Sequence, residues 1–373
     1  MKLFWLEFKR FTTSLAFVLY TLVTVGFILL NVWPMINRGL ATAPVNQTAR
    51  YDLITTTDFH ALKTNALDQL KEEHADNAYV TYPFGFAKSV TLTAGAQAKV
   101  GQALNRARQA DTRRGLEKAL GPVDQLLGGH SDYQAANLQR FAVRPMTLAE
   151  ARRDHTLIMR KDRITGTYAR LFADIASIIV CILPTIVIIA YCYTDRRAQV
   201  RPIMQAKAMG MPKWLVTRYA ASVAGLLIPV LMTALLLLGR VILLYPGAAL
   251  DYWAFFKAAG FWALPTLLVS TAVGFLSDAL FSNFTGFALQ IGWWLITMMI
   301  GAHQVIGNYG WLLIPRHNSL HNVSFFYAHY SELAINRLGY TLLAIVFLGL
   351  TMVLMNLQRE GKYRGFHLRP ARR

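Results

Sequence analysis

The stretch LFADIASIIVCILPTIVIIAYCY, Leu171 to Tyr193, followed at once by Thr194, Asp195, Arg196 and Arg197, decides the fold. A helix rising about 1.5 Å per residue needs around 20 residues to cross ~30 Å of hydrocarbon. This run has that length, and a basic cluster marks one of its ends. Five further apolar stretches have similar length: Phe11 to Val32, Tyr219 to Leu243, Ala258 to Leu276, Phe284 to Ile306 and Leu338 to Leu357. A hydrophobic fraction of 54% exceeds the roughly 45–50% of soluble domains. Mean hydropathy is +0.34, so the bilayer is the expected solvent.

A net charge of +18 would suit nucleic acid if the cations formed one soluble patch. They are instead sorted by topology, and nucleic acid is not expected as a partner. Lys2, Lys9, Arg10, then Arg196, Arg197, Arg201, Lys207, Lys213, Arg218, then Arg359, Lys362, Arg364, Arg369, Arg372 and Arg373 flank the stretches on one side. The short gaps on the other side hold only Arg240, Lys257, Arg316 and Arg337. The positive-inside rule then puts both termini and the 194–218 loop in the cytoplasm. Residues 34–170 are also basic, but segments of that length translocate largely regardless of charge.

Cys181 and Cys192 share the second stretch, about 16 Å apart along a helix, and cannot bridge each other. An exported domain would therefore fold without disulfides. The first stretch is too long for a signal-peptide core and lacks a convincing cleavage site, so it is read as a retained anchor. The expected organisation is residues 1–33 as interfacial helix and first span, 34–170 as an α-rich extracytoplasmic domain, and 171–373 as spans two to six with a basic tail. Within 34–170, Thr57-Asp58 precedes a pattern through Leu62, Leu67 and Leu70. Ser89 to Thr93 is β-rich, residues 96–120 suit a helix, and Thr147-Leu-Ala-Glu150 is a capping box for a helix running through Met159 and Tyr168.

Ionisable residues inside spans are functional candidates by default. Asp174 and Arg240 lie near the outer ends of the second and third stretches and form a candidate pair, with snorkelling of Arg240 as the alternative. Pro184, Pro229 and Pro265 should bend three consecutive spans, and Ala272, Gly274, Gly286 and Gly292 permit close helix packing. His317, His321 and His329 are close in sequence, yet Pro315 and Asn318-Ser319 argue for a turn rather than a metal site. The scattered His60, His74, His130 and His155 read as solvent-facing. The glycosylation patterns at Asn46, Asn283 and Asn322 fall on both sides of the predicted topology and do not discriminate.

The loop from Asp195 through Arg196, Arg197, Arg201, Met204 and Lys207 has helical spacing, with Gly210 as its stop and Pro212 starting the next helix. A basic helix between the second and third of six spans resembles the ATPase-coupling helix of type-2 ATP-binding-cassette (ABC) exporter permeases. The runs Ile314-Pro-Arg316-His-Asn-Ser and Glu332-Leu-Ala-Ile-Asn336-Arg337-Leu-Gly-Tyr340 are similar to the last outer loop and last helix of bacterial members. The resemblance implies a multi-pass cell-membrane transport subunit, dimeric with a second copy or paralogue, lipid-embedded, and driven by a separate ABC ATPase subunit. It implies no cofactor and no catalytic residues or metal in this chain. No Gly-x-x-x-x-Gly-Lys-Ser/Thr occurs, so any nucleotide would be bound elsewhere.

The large 34–170 segment and Asp195, where glutamate is usual, depart from that family. Ala206-Lys-Ala-Met-Gly210 resembles mechanotransmitting permeases of the lipoprotein and macrolide-exporter type, which have four spans around a large domain. A receptor or scaffold with an exported ligand-binding domain is the alternative from another class. A membrane enzyme fits least, because no carboxylate, His or Cys cluster falls at one depth.

Overall fold

The computed structural model describes residues 1–45, 52–83, 87–198, 210–281, 285–302 and 306–362. The chain is mostly helical and divides into two compact units. One comprises Met1–Ala43, Asp154–Met298 and Asn308–Arg373; the other comprises Pro44–Arg153 and Met299–Gly307.

Five helices of the first unit are long and apolar enough to cross a membrane: Leu15–Met35, Thr165–Arg197, Met211–Leu244, Ala254–Phe281 and Tyr330–Arg359. Over the described residues, the stretch expected from Phe284 forms an apolar helix, Thr285–Gly301, of ~25 Å against ~30 Å of hydrocarbon. The first long helix starts later than expected. Residues Lys2–Thr12 form a separate amphipathic helix that buries Glu7 and Phe11. Ser14 then caps Leu15–Val32 by accepting from the Phe17 amide at 3.2 Å.

Proline and glycine act at some of the expected places. Ahead of Pro184 the Thr165–Arg197 helix breaks at Cys181–Ile182. The Cys181 carbonyl freed there accepts from Ser270 Oγ and from Gln290 Nε2, each at 2.5 Å, while Thr185 Oγ1 donates to the Ser270 carbonyl. Side chains of neighbouring helices thus satisfy backbone that the break exposes. Pro265 follows a π-helical turn at Ala259–Ala263, whereas Pro229 lies inside an unbroken helix. A Cβ at Gly274 would lie 2.7 Å from Ile188, and one at Gly286 2.0 Å from Ser277, so both glycines allow close approach. Gly292 has open space around it.

The second unit is α-rich with two small antiparallel pairs, Leu53–Thr55 with Val143–Pro145 and Tyr79–Thr81 with Lys88–Val90. Its helices are Phe59–Asp76, Ala94–Arg108 and Arg113–Leu126. Asp58 caps the first by accepting from the His60 amide. The single helix expected over 96–120 is two, because the chain turns between Arg108 and Arg113. Leu70, Val100, Leu116 and Tyr133 are among the residues of this unit's own core. The capping box is present: Glu150 accepts from the Thr147 amide at 2.9 Å, and Thr147 Oγ1 accepts from the Glu150 amide at 3.3 Å. The helix it starts ends at Leu157, short of the expected run through Tyr168. A π turn at Ile158–Asp162 and left-handed Arg163 and Ile164 interrupt it before Thr165.

Candidate functional site

Two charged clusters lie along the Thr165–Arg197 helix of the first unit, at Asp195 and at Asp174. Asp195 occupies the last turn of that helix, yet it points inward and is 3% exposed. Its carboxylate accepts from Arg218 Nη1 at 2.5 Å and forms a second ion pair with Arg10 of the N-terminal helix. Arg218, also buried, lies over the faces of Tyr191 at 4.3 Å and Trp214 at 5.1 Å. Tyr191 donates its hydroxyl to Glu7 at 2.9 Å. One residue on, Arg196 pairs with the buried Asp278 at 3.0 Å.

Asp195 and Arg196 therefore tie helices together, and Arg197 faces solvent. Gly210 is exposed at the start of Met211–Leu244, with Pro212 in its first turn as expected. Arg201, Met204 and Lys207 lie outside the described residues, as do Arg364, Arg369, Arg372 and Arg373 of the basic tail.

The second cluster corrects the expected Asp174–Arg240 pair. Asp174, 1% exposed, pairs with Arg316 Nε at 2.8 Å and accepts from the backbone amides of Asn318 and His317 at 3.2 and 3.4 Å. Arg240 instead donates to the Ile36 carbonyl at 3.2 Å, with its guanidinium 4.3 Å from the Trp33 ring. That is the snorkelling alternative in outline: the apolar stem stays in the helix bundle while the head finds a carbonyl at the helix end.

Arg316 belongs to a short antiparallel bridge with Asn308. The adjoining run Leu312–Ile314 is buried, and Arg337 holds it in place. Arg337 is itself 2% exposed and has no carboxylate partner among the described residues. It donates to the carbonyls of Trp262, Leu312 and Leu313 and to Thr266 Oγ1, and contacts Asn336 Oδ1. The two sequence runs around Arg316 and Arg337 thus meet in one place. His317 is committed on both ring nitrogens, to the Tyr309 hydroxyl at 2.5 Å and the His321 carbonyl at 3.0 Å. Burial, aided by the nearby Arg170 charge, pushes its pKa down to about 3, so the ring is neutral at physiological pH. Among the described residues no group of three His, Cys, Asp or Glu stands close enough to hold a metal.

A third cluster escaped the sequence reading. Asp162 pairs with Arg170 and accepts from Thr167 at 2.9 Å and from the Tyr327 hydroxyl at 2.6 Å. The i, i+8 spacing of Asp162 and Arg170 places them about two helical turns apart, a weak signal in itself. The left-handed turn at Arg163–Ile164 that brings them together is not readable in the sequence. Glu7 and Arg10 escaped it likewise, because their partners Tyr191 and Asp195 lie 184 and 185 positions away in sequence, and Arg218 meets Asp195 only across the intervening segment. Comparison with known proteins finds no family model, curated protein or solved structure that matches the chain.

Proposed function

We propose that the chain is the membrane-spanning permease subunit of an ABC exporter, working as a dimer with a second copy or a paralogue and energised by a separate ATPase subunit. In this reading the shorter Thr285–Ala302 helix completes six crossings of the cell membrane, both termini are cytoplasmic, and residues 34–170 form an extracytoplasmic domain. The observation that supports it best is the tie between Asp195 and Arg218. The helix that ends before residues 199–209 and the helix that begins after them share one buried ion pair. A push on the intervening basic segment would then be delivered to two long helices as one body.

Replacing Arg197, Arg201 and Lys207 together by glutamine is expected to abolish co-purification of the ATPase while membrane insertion stays normal. Unchanged co-purification would sink the reading. Accessibility labelling of cysteines introduced at Lys207 and Arg364 should place both on one side of the membrane.

A mechanotransmitting permease is the second reading, favoured by the separate core of the Pro44–Arg153 unit. Transport of a labelled substrate into sealed vesicles supports export. ATP-dependent change in that unit without transport supports mechanotransmission.

A further inference from the structure

We infer that an open pocket of about 210 Å³ at one end of the helical unit binds the headgroup of an anionic phospholipid. Its wall is built from the first turns of three long apolar helices, at Gly166 to Arg170, Ala254 to Trp262 and Tyr330, and from the segments that lead into them. A pocket at the start of three spans lies where hydrocarbon gives way to water. Tyr252 and Trp253 beside it are 59% and 67% exposed, and such rings favour the headgroup level.

The charges lining the pocket do not cancel. Arg170 is matched by Asp162 and Lys257 by Asp251, at 2.8 Å in the second case. Lys161 has no carboxylate partner among the described residues; its ammonium rests 3.4 Å from the centre of the Tyr327 ring. One positive charge is left over, which suits a single phosphodiester anion.

An aromatic-lined pocket could instead cage a quaternary ammonium. Here the ring faces suited to that role are taken. Lys161 lies over Tyr327, Arg170 lies over Phe326 at 4.7 Å, and Phe261 stacks on Tyr330 at 5.2 Å. The protein's own cations fill the cage, and the exposed, unmatched Lys161 faces a ligand of opposite sign. The apolar flanks of Phe261 and Trp262 leave room for the acyl end of an amphiphile rather than for a bare ion.

The test uses the full chain in vesicles with spin-labelled phosphatidylglycerol or phosphatidylcholine as probe. Phosphatidylglycerol should associate more tightly, and Lys161→Glu should lower that preference at least about fivefold, the effect of one basic residue near a membrane surface. Lys161→Arg should keep the preference, and Lys118→Glu, an exposed change on the Arg113–Leu126 helix outside the pocket, should leave it unaltered. Equal association of the two lipids with the unaltered chain, or a Lys161→Glu variant indistinguishable from it, would overturn the assignment. Displacement of the labelled lipid by millimolar glycerol 3-phosphate would also overturn it, in favour of a soluble phosphate ester. No ATPase enters the assay, so its failure leaves the permease reading standing, and the reverse holds too.

Discussion

Asp174 and Asp195 sit about 30 Å apart on the Thr165–Arg197 helix, and the protein treats the two carboxylates differently. Asp174 meets one guanidinium, that of Arg316, together with two backbone amides of the same loop. Its charge is matched one to one, and it fixes irregular chain against a helix. Asp195 meets two guanidiniums from two other helices, one buried and one, Arg10, with 42% of its side chain exposed. That cluster holds a second acid, Glu7, bonded to Tyr191, so its two cations and two acids balance, while Arg218 lies over Tyr191 and Trp214 and the Arg10 side is open to water. The first arrangement is a closed fastening of a loop. The second joins helices through an ion pair whose outer arm can exchange with water, as a moving joint requires.

If that contrast is right, removing the carboxylates should cost unequal amounts. Asp174→Ala takes the carboxylate from the partly buried Arg316, which keeps its bond to Asn318 Oδ1, and from two backbone amides, and should lower stability by about 3–5 kcal/mol. Chemical unfolding in mixed detergent, followed by tryptophan fluorescence, would measure it. A double-mutant cycle with Arg316 should show strong coupling, and a cycle with Arg240 almost none, within about 0.5 kcal/mol. Strong coupling to Arg240 would break the comparison at Asp174.

Asp195→Ala should cost less, about 2–3 kcal/mol, because Arg10 can return to water and the rings beneath Arg218 retain part of its stabilisation. Arg10→Ala should cost less still, about 0.5–1 kcal/mol, as expected for a half-exposed pair. Should Arg10→Ala prove as damaging as Asp195→Ala, the joint would be a closed fastening after all.

Much of the scaffold was legible because its signals are local. Length and apolarity located five of the six stretches, and the capping box at Thr147–Glu150 and the break ahead of Pro184 follow from residues within a few positions. What was not legible is pairing at long range. Asp174 stands out as an ionisable residue in an apolar run, but nothing local distinguishes Arg240 from Arg316 as its partner. That choice depends on a loop whose path is fixed by Arg337 and the carbonyls of Leu312 and Leu313. The inward turn of Asp195 depends on the Met1–Arg10 segment folding back as a helix, which a flank of alternating apolar and charged residues permits without requiring.

The same acid–arginine chemistry in water gives the smallest effect and completes the comparison. In the second unit Glu150 takes a bidentate pair with Arg144, at 2.7 and 2.8 Å, while both side chains stay more than a third exposed. The hydrogen bonds from Arg144, with those from Thr147, hold its carboxyl at about 2 instead of the usual 4.5. A depressed pKa contributes stability that is fully present above about 4.5 and is lost as pH falls toward 2. Glu150→Gln should therefore cost no more than about 1 kcal/mol at neutral pH, chiefly through the cap, and the difference from the unaltered chain should shrink across that acidic window. A difference that stayed constant down to pH 2 would mean that shape rather than charge holds this pair. Exposed and buried pairs would then no longer differ by how water competes for the carboxylate.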